Sequence, residues 1–265
     1  TDAPSRFVLS HLLRFESSST APGEWTSFEA YKSRMLPQQK KIYVLHSPSR
    51  ELALASPYYE MFKQKGVEVL FMNSRMDEYV MAELAALPEY ELCSIENANV
   101  SLDWVTEAEP EASVDEPRAM TGNQCNLYSE FLMEVLGDRL GEAKASERLV
   151  ESPAMVLSSF EQAASWRHRM KVAMMEGETS RYELGMQVLE FNPKHDINKL
   201  LLRLSRSADA ADAEKARVMA EQLFDNALIA AGLLQDPRPM LRRLQTLMEE
   251  GLRGGGGVAA PEDDE

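Results

Sequence analysis

Hydrophobic positions along the chain change period twice, and the changes divide it into three stretches. Phe7, Val8, Leu12 and Leu13 recur at helical spacing before a Ser/Thr stretch that ends at Gly23. A second helix is predicted over 26–35, where Thr26 or Ser27 caps and Glu29 is placed for a capping box. Beyond it the period shortens: 40–47, 67–73 and 91–97 are short apolar runs of β type. Between them, 49–66 and 75–87 are each long enough for a crossover helix. Strand alternating with helix predicts a small parallel sheet covered by helices, a three-layer α/β unit.

From Val100 to Gly122 the chain is acidic and proline-bearing without a clear period, which reads as a linker or an ordered loop over the surface. A second unit then begins. It reads as a helix over 126–140, strands over 145–159 broken at Pro153, a helix over 166–177 and a strand over 185–193, a mixture of α+β type. From Lys194 the pattern is helical to the end. In 212–233, Ala216, Met219, Ala220, Leu223, Ala227, Ala230 and Ala231 form one small-residue face widened by Phe224 and Leu228, with Gly232 placed to end the helix. Asp236 and Pro237 open a last helix in which Met240, Leu241, Leu244, Leu247, Met248 and Leu252 follow the 3, 4, 7 spacing. Such a hairpin either packs on its own domain or pairs with a second copy as a four-helix bundle, and spacing leaves both open. The last residues, 254–265, have the composition of a flexible acidic tail.

The stretch 166–177, "WRHRMKVAMMEG", puts Trp166, Met170 and Met174 on one helical stripe, with Met175 about 100° off it. Spacing alone reads the stripe as core, because apolar stripes usually face inward. Methionine also suits adaptable binding surfaces.

Charge narrows the partners. Lys and Arg total 28 against 43 Asp and Glu, a formal charge of -15, which argues against nucleic acid or an anionic membrane surface. The imbalance is local: Met76 to Pro117 holds twelve acids and no Lys or Arg. No apolar run approaches a bilayer span. Cys93 and Cys125 do not make a disulfide framework, which fits a reducing compartment. The opening "TDAPSRFVLS" has neither an initiator Met nor a cationic leader, and reads as an excised piece or a chain that has lost its targeting segment.

The search for chemistry is negative. There is no phosphate-cradling glycine loop, and His11, His46, His168 and His195 stand apart from one another and from either Cys, so no metal ligand set is predicted. His195 beside Asp196 reads as a surface turn rather than a base and its orienter, and Cys93 as a small core residue rather than a nucleophile.

The strings "LLRFESS", "TSFEAYKSRM", "KKIYVLHSPSRELALASPYYEMFKQKGVEVLFMNSRMDEYVM", "SPAMV", "LEFNPKHDINKLL" and "LFDNALIAAGLLQDPRPMLRRL" resemble the ATP-dependent chaperones of heat shock protein 90 type, in the family's order and over roughly Arg6 to Leu252. "SPAMV", "LEFNPKH" and "NALIAAGLLQDPR" look most like its mitochondrial, tumour necrosis factor receptor-associated type, which implies the mitochondrial matrix. The resemblance implies that residues 1–118 are the C-terminal part of the middle domain and 119–253 the C-terminal dimerization domain. It places ATP and magnesium in an amino-terminal domain outside this chain, so that this part is not an enzyme and holds no cofactor. It also decides the open hairpin in favour of a homodimer, with Leu223, Ala227, Ala230, Met240, Leu244 and Leu247 in the contact. Non-native client proteins are the implied partners, and Trp166, Met170, Met174 and Met175 the implied client surface, turned toward the dimer cleft. The ending "PEDDE" lacks the cytosolic Met-Glu-Glu-Val-Asp signal, so tetratricopeptide co-chaperones are not expected. The competing reading is a non-catalytic α/β module that binds a small ligand at the strand C-termini through Ser47, Ser49, Asn73 and Asp77, with the hairpin as a dimerization tail.

Overall fold

The computed structural model describes residues 3–74, 76–84, 91–97, 99–105, 118–158, 186–234 and 236–254. Helix α1 (Ala3–Ser10) leads into strand β1 (Glu16–Ser17) and helix α2 (Phe28–Arg34). Ser27 caps α2 by accepting the Ala30 N–H, which puts Glu29 in the first turn rather than at the capping-box position it would hold if Thr26 were the cap. The first sheet follows from the three apolar runs: β2 (Ile42–His46), β3 (Leu70–Met72) and β4 (Leu92–Ser94). The strand order is β1-β3-β2-β4. β2 is parallel to both β3 and β4, as predicted, but β1 adds an antiparallel edge, so the sheet is mixed. Two residues inside a Ser-rich run carry no readable period, so β1 had no sequence signal.

The crossover from β2 to β3 is two short helices, α3 (Arg50–Leu54) and α4 (Glu60–Gln64). Pro57 stands in the break, where its ring and missing N–H oppose a continuous helix. Helix α4 ends in a reverse turn at Gly66, φ +63°, with the Val67 N–H bonded to the Phe62 carbonyl. Helix α5 (Asp77–Leu84) returns the chain toward β4. Strand alternation splits the packing: Ile42, Val44, Leu70 and Met72 face a cluster with Phe15, Phe28 and Tyr31, whereas Tyr43, Leu45 and Phe71 face the other way.

The second unit starts at helix α6 (Gly122–Leu136), closed at its N-terminus by a Thr121–Gln124 capping box. Its sheet has the order β5-β7-β6, from β5 (Leu140–Ala145), β6 (Ala154–Ser158) and β7 (Gln187–Phe191). β7 is parallel to β5 and antiparallel to β6. β5 corrects the sequence reading, which ran a helix to Leu140 and put strands from Ala145; polar Glu142 and Lys144 conceal the strand's alternation. The strand is irregular at Gly141, where an added Cβ would lie 3.3 Å from the Cβ of Met186. Helices α7 (Asp196–Ser205), α8 (Ala210–Ala230) and α9 (Arg238–Gly254) complete the chain. Helix α6 packs on β5 and α8 on β6.

The two units share one core. Tyr43, Phe62 and Phe71 belong to the same buried cluster as Tyr128, Met155, Phe191 and Phe224. Val100 and Leu102, at the start of the acidic stretch, are buried in it too, so that part is packed rather than a free linker. Hydrogen bonds stitch the seam. The Tyr58 hydroxyl donates to the Val156 carbonyl, and the Arg148 guanidinium donates to the carbonyls of Ile95 at 2.6 Å and Asn97 at 2.9 Å. The Glu60 carboxylate accepts the successive N–H groups of Val150, Glu151 and Ser152 at 2.7–2.9 Å.

Candidate functional site

The terminal helices are fixed at both ends of their turn. Helix α8 closes with Gly232 at φ +66°, the Leu233 N–H reaching the Leu228 carbonyl and the Gly232 N–H the Ile229 carbonyl, both at 2.8 Å. The Asp236 carboxylate accepts the Arg238 N–H at 3.0 Å and grips the Arg238 guanidinium, which holds its pKa below the usual carboxylate range. The positions predicted for the end of one helix and the start of the next thus serve those roles.

Between the helices lies an ion cluster. Asp225, on the buried side of α8, accepts hydrogen bonds from Arg139, just before β5, and from Arg243 on α9. Arg243 also donates to Glu221 at 2.7 Å and Gln222 at 3.1 Å. The Arg139 guanidinium lies over the Phe224 ring, 4.7 Å from its centre. One carboxylate therefore ties α8, α9 and the α6–β5 corner together. Sequence spacing missed it, and its one signal was an acid inside the apolar run Leu223–Leu228.

The residues expected in a contact between copies fall into three groups. Leu223, Ala227 and Met240 are buried within their own chain, and a side chain buried there has no area left for a partner. Leu244 and Leu247 are half-buried, and Ala230 is exposed. The outward apolar surface of α9 is instead Leu241, Met248 and Leu252, which are 55%, 68% and 79% exposed and share one face at spacings of seven and four. The inward row 240, 244, 247 and the outward row differ by one residue, about 100° around the helix. The signal was available: two adjacent apolar rows are more than one packing partner needs. Trp166, Met170, Met174 and Met175 lie outside the described residues.

Of the residues weighed for a small ligand, Ser49 caps α3, Asp77 accepts the Ser74 N–H at 2.9 Å, and Asn73 approaches Glu16. Ser47 lines a cavity of about 470 Å³. Burial pushes the Cys93 and Cys125 thiols up, away from the thiolate, with Lys41 and Arg148 opposing the effect at Cys93. His195 accepts the Ile197 N–H at 3.1 Å as the cap of α7. Among the described residues, no group of His, Cys, Asp and Glu is placed to hold a metal ion, and no helix is long and apolar enough to cross a membrane.

The family model for Hsp90 protein matches residues 1–265. The chain belongs to the Hsp90 family. Over 252 residues, 95% of this Hsp90 chain, it is 34% identical to Chaperone protein HtpG of Desulfitobacterium hafniense, covering 39% of that protein. It is 33% identical over 245 residues to the mitochondrial Heat shock protein 75 kDa of Bos taurus, with 92% of this chain and 34% of the relative aligned. It is 31% identical over 252 residues to the mitochondrial TNF receptor-associated protein 1 homolog of Dictyostelium discoideum, with 94% and 34% aligned. The Hsp90 chain thus spans between a third and two fifths of the length of these relatives.

Proposed function

We propose that this chain is the dimer-forming, client-contacting part of an Hsp90 chaperone, with ATP and magnesium handled by a domain outside it and no catalysis of its own. Residues 1–118 form the end of the middle domain in this reading, and 119–253 the dimerization domain. The observation that carries it is the outward row Leu241, Met248 and Leu252 on the terminal helix of a family whose relatives are named as chaperones. Large apolar side chains at such exposure on one helical face mark a surface kept for another protein. A second copy fits because a row meeting its own symmetry mate makes a self-complementary four-helix contact. Specific interfaces bury about 1,600 Å² in total, so Leu244, Leu247 and Ala230 would flank the row.

Clients are non-native proteins, met through the Trp166, Met170, Met174 and Met175 stripe, for which exposure rather than core packing is proposed. The mitochondrial names of two relatives support a mitochondrial location.

Light scattering of the chain at low micromolar concentration gives a dimer mass, and Leu241→Glu/Met248→Glu/Leu252→Glu gives a monomer with an unchanged unfolding midpoint. A monomer mass for the unaltered chain sinks the dimer reading. Trp166→Ser/Met170→Gln/Met174→Gln weakens binding of an unfolded client and leaves the dimer intact; unfolding of the domain instead would show that the stripe is core.

A further inference from the structure

The residues that lead into α6 are tied to the turn before α7 by the Met120 N–H, which donates to the Pro193 carbonyl at 2.9 Å. A cavity of about 350 Å³ opens beside that bond, within the range of small-molecule sites. Arg118, Ala119 and Met120 line it ahead of the helix, Thr121 and Gln124 line it from the start of α6, and Lys199 and Leu202 from α7. Its two cations therefore come from distant parts of the chain, and the fold alone brings them to one space. None of these residues belongs to the client stripe or to the contact between copies.

The polar part of the wall consists of donors. The Thr121 hydroxyl oxygen accepts the Gln124 N–H at 3.3 Å, and the Gln124 side-chain oxygen accepts the Thr121 N–H at 2.8 Å. The capping box thus engages their acceptors and leaves the Thr121 O–H and the Gln124 amide NH2 to be given to a ligand. Arg118 and Lys199 can only donate. Arg118 is exposed and makes no hydrogen bond or ion pair among the described residues. Lys199 meets Asp196 at 3.1 Å, but that carboxylate is 90% exposed and lies outside the wall, so the pair is of the weak surface kind. Among the described residues no Asp or Glu lines the cavity. Two like charges on one space repel, and an anion between them turns the repulsion into attraction. An amine or a metal cation would meet the same two charges with no carboxylate to hold it.

We propose that this cavity is a binding site for a small dianion, a phosphate or a short dicarboxylate. The planar Arg118 fork takes two of its oxygens side by side, and the Lys199 ammonium supplies the second charge. Thr121 and Gln124 complete the set of donors, while Met120 and Leu202 bound the site with apolar surface. Bound there, the anion ties the chain entering α6 to α7.

The test is a titration of the isotopically labelled chain with inorganic phosphate, succinate and acetate, at mildly alkaline pH and at one ionic strength set with sodium chloride, followed by amide chemical shifts. A dianion is expected to give saturable shifts at residues 118–124 and 199–202, with a Kd about tenfold below that of acetate, as one added charge-assisted hydrogen bond provides. Saturation by phosphate alone assigns the site to phosphate groups, and saturation by succinate alone to dicarboxylates; either supports it. Arg118→Met and Lys199→Met each raise that Kd about tenfold, and Arg118→Lys recovers part of the loss. Met keeps the apolar stem of either side chain, so the unfolding midpoint is expected to stay unchanged, and if one variant fails to fold the other still decides. Absence of saturable shifts at these residues, shifts that sodium chloride alone reproduces, equal affinity for acetate, or binding unchanged by either substitution overturns the proposal. Because the cavity lies within one chain and away from α9, each result is independent of the dimer mass.

Discussion

At the scale of single residues, the buried phenols set the behaviour of this chain at high pH. The Tyr31 hydroxyl donates to the Glu68 carbonyl at 2.8 Å and accepts from Gln39 at 2.9 Å and the Tyr43 N–H at 3.1 Å. The Tyr128 hydroxyl donates to Asn198 at 2.9 Å, and Asn198 in turn donates to the carbonyls of Pro153 and Asn192, both at 2.8 Å. Desolvation pushes both phenols far above their ordinary range. A group whose folded pKa is raised contributes its stability below the unfolded pKa and loses it as the pH rises. Stability is therefore level up to about pH 10, the unfolded value for tyrosine, and falls above it because only the unfolded chain releases these protons. Tyr128→Phe is expected to lower neutral stability by about 1 kcal/mol and make the alkaline fall shallower. Urea midpoints measured between about pH 8 and 11 check both statements; a flat profile for the unaltered chain would contradict them. The sequence placed Tyr128 in a helix and Asn198 in another, but their spacing said nothing of a bond across 70 positions.

Among the elements, the informative contact is the Asp225 cluster. The Asp225 side chain is 9% exposed and that of Arg243 15%, so removal of the carboxylate leaves a largely desolvated guanidinium with only Gln222 and the more exposed Glu221 carboxylate to pair it. Breaking such a pair from one side is expected to be strongly destabilising. Asp225→Ala should lower unfolding stability by about 3 kcal/mol, with Asn recovering part of it. A loss under about 0.5 kcal/mol would class the cluster with ordinary surface pairs. The same helices show where periodicity stops informing. It located α8 and α9 and their joining turn, because Gly232, Asp236 and Pro237 act through local backbone geometry. It did not choose between the rows of α9, because Met240 and Leu241 are equally apolar and only the position of α8 makes one inward and the other outward.

At the scale of the whole molecule, the seam matters more than either sheet. One buried cluster runs from Tyr43 to Phe224, and the Glu60, Tyr58 and Arg148 bonds cross it. Calorimetry is expected to show a single unfolding transition for both units. Glu60→Gln should lower its midpoint, by about 1.5 kcal/mol for the lost charge-assisted bonds, without splitting it. Two transitions in the unaltered chain would mean that the shared cluster does not couple them.

By itself the sequence determined the three parallel strands, the crossover segments, the terminal hairpin and the family, since these rest on local period, turn chemistry and long specific strings. Only the tertiary structure decided the antiparallel edge β1, strand β5, the Asp225 cluster, the outward row of α9 and the cavity between the start of α6 and α7. Each of these depends on which distant surface a residue meets, and a one-dimensional pattern records that a side chain is apolar or charged without recording what lies opposite it.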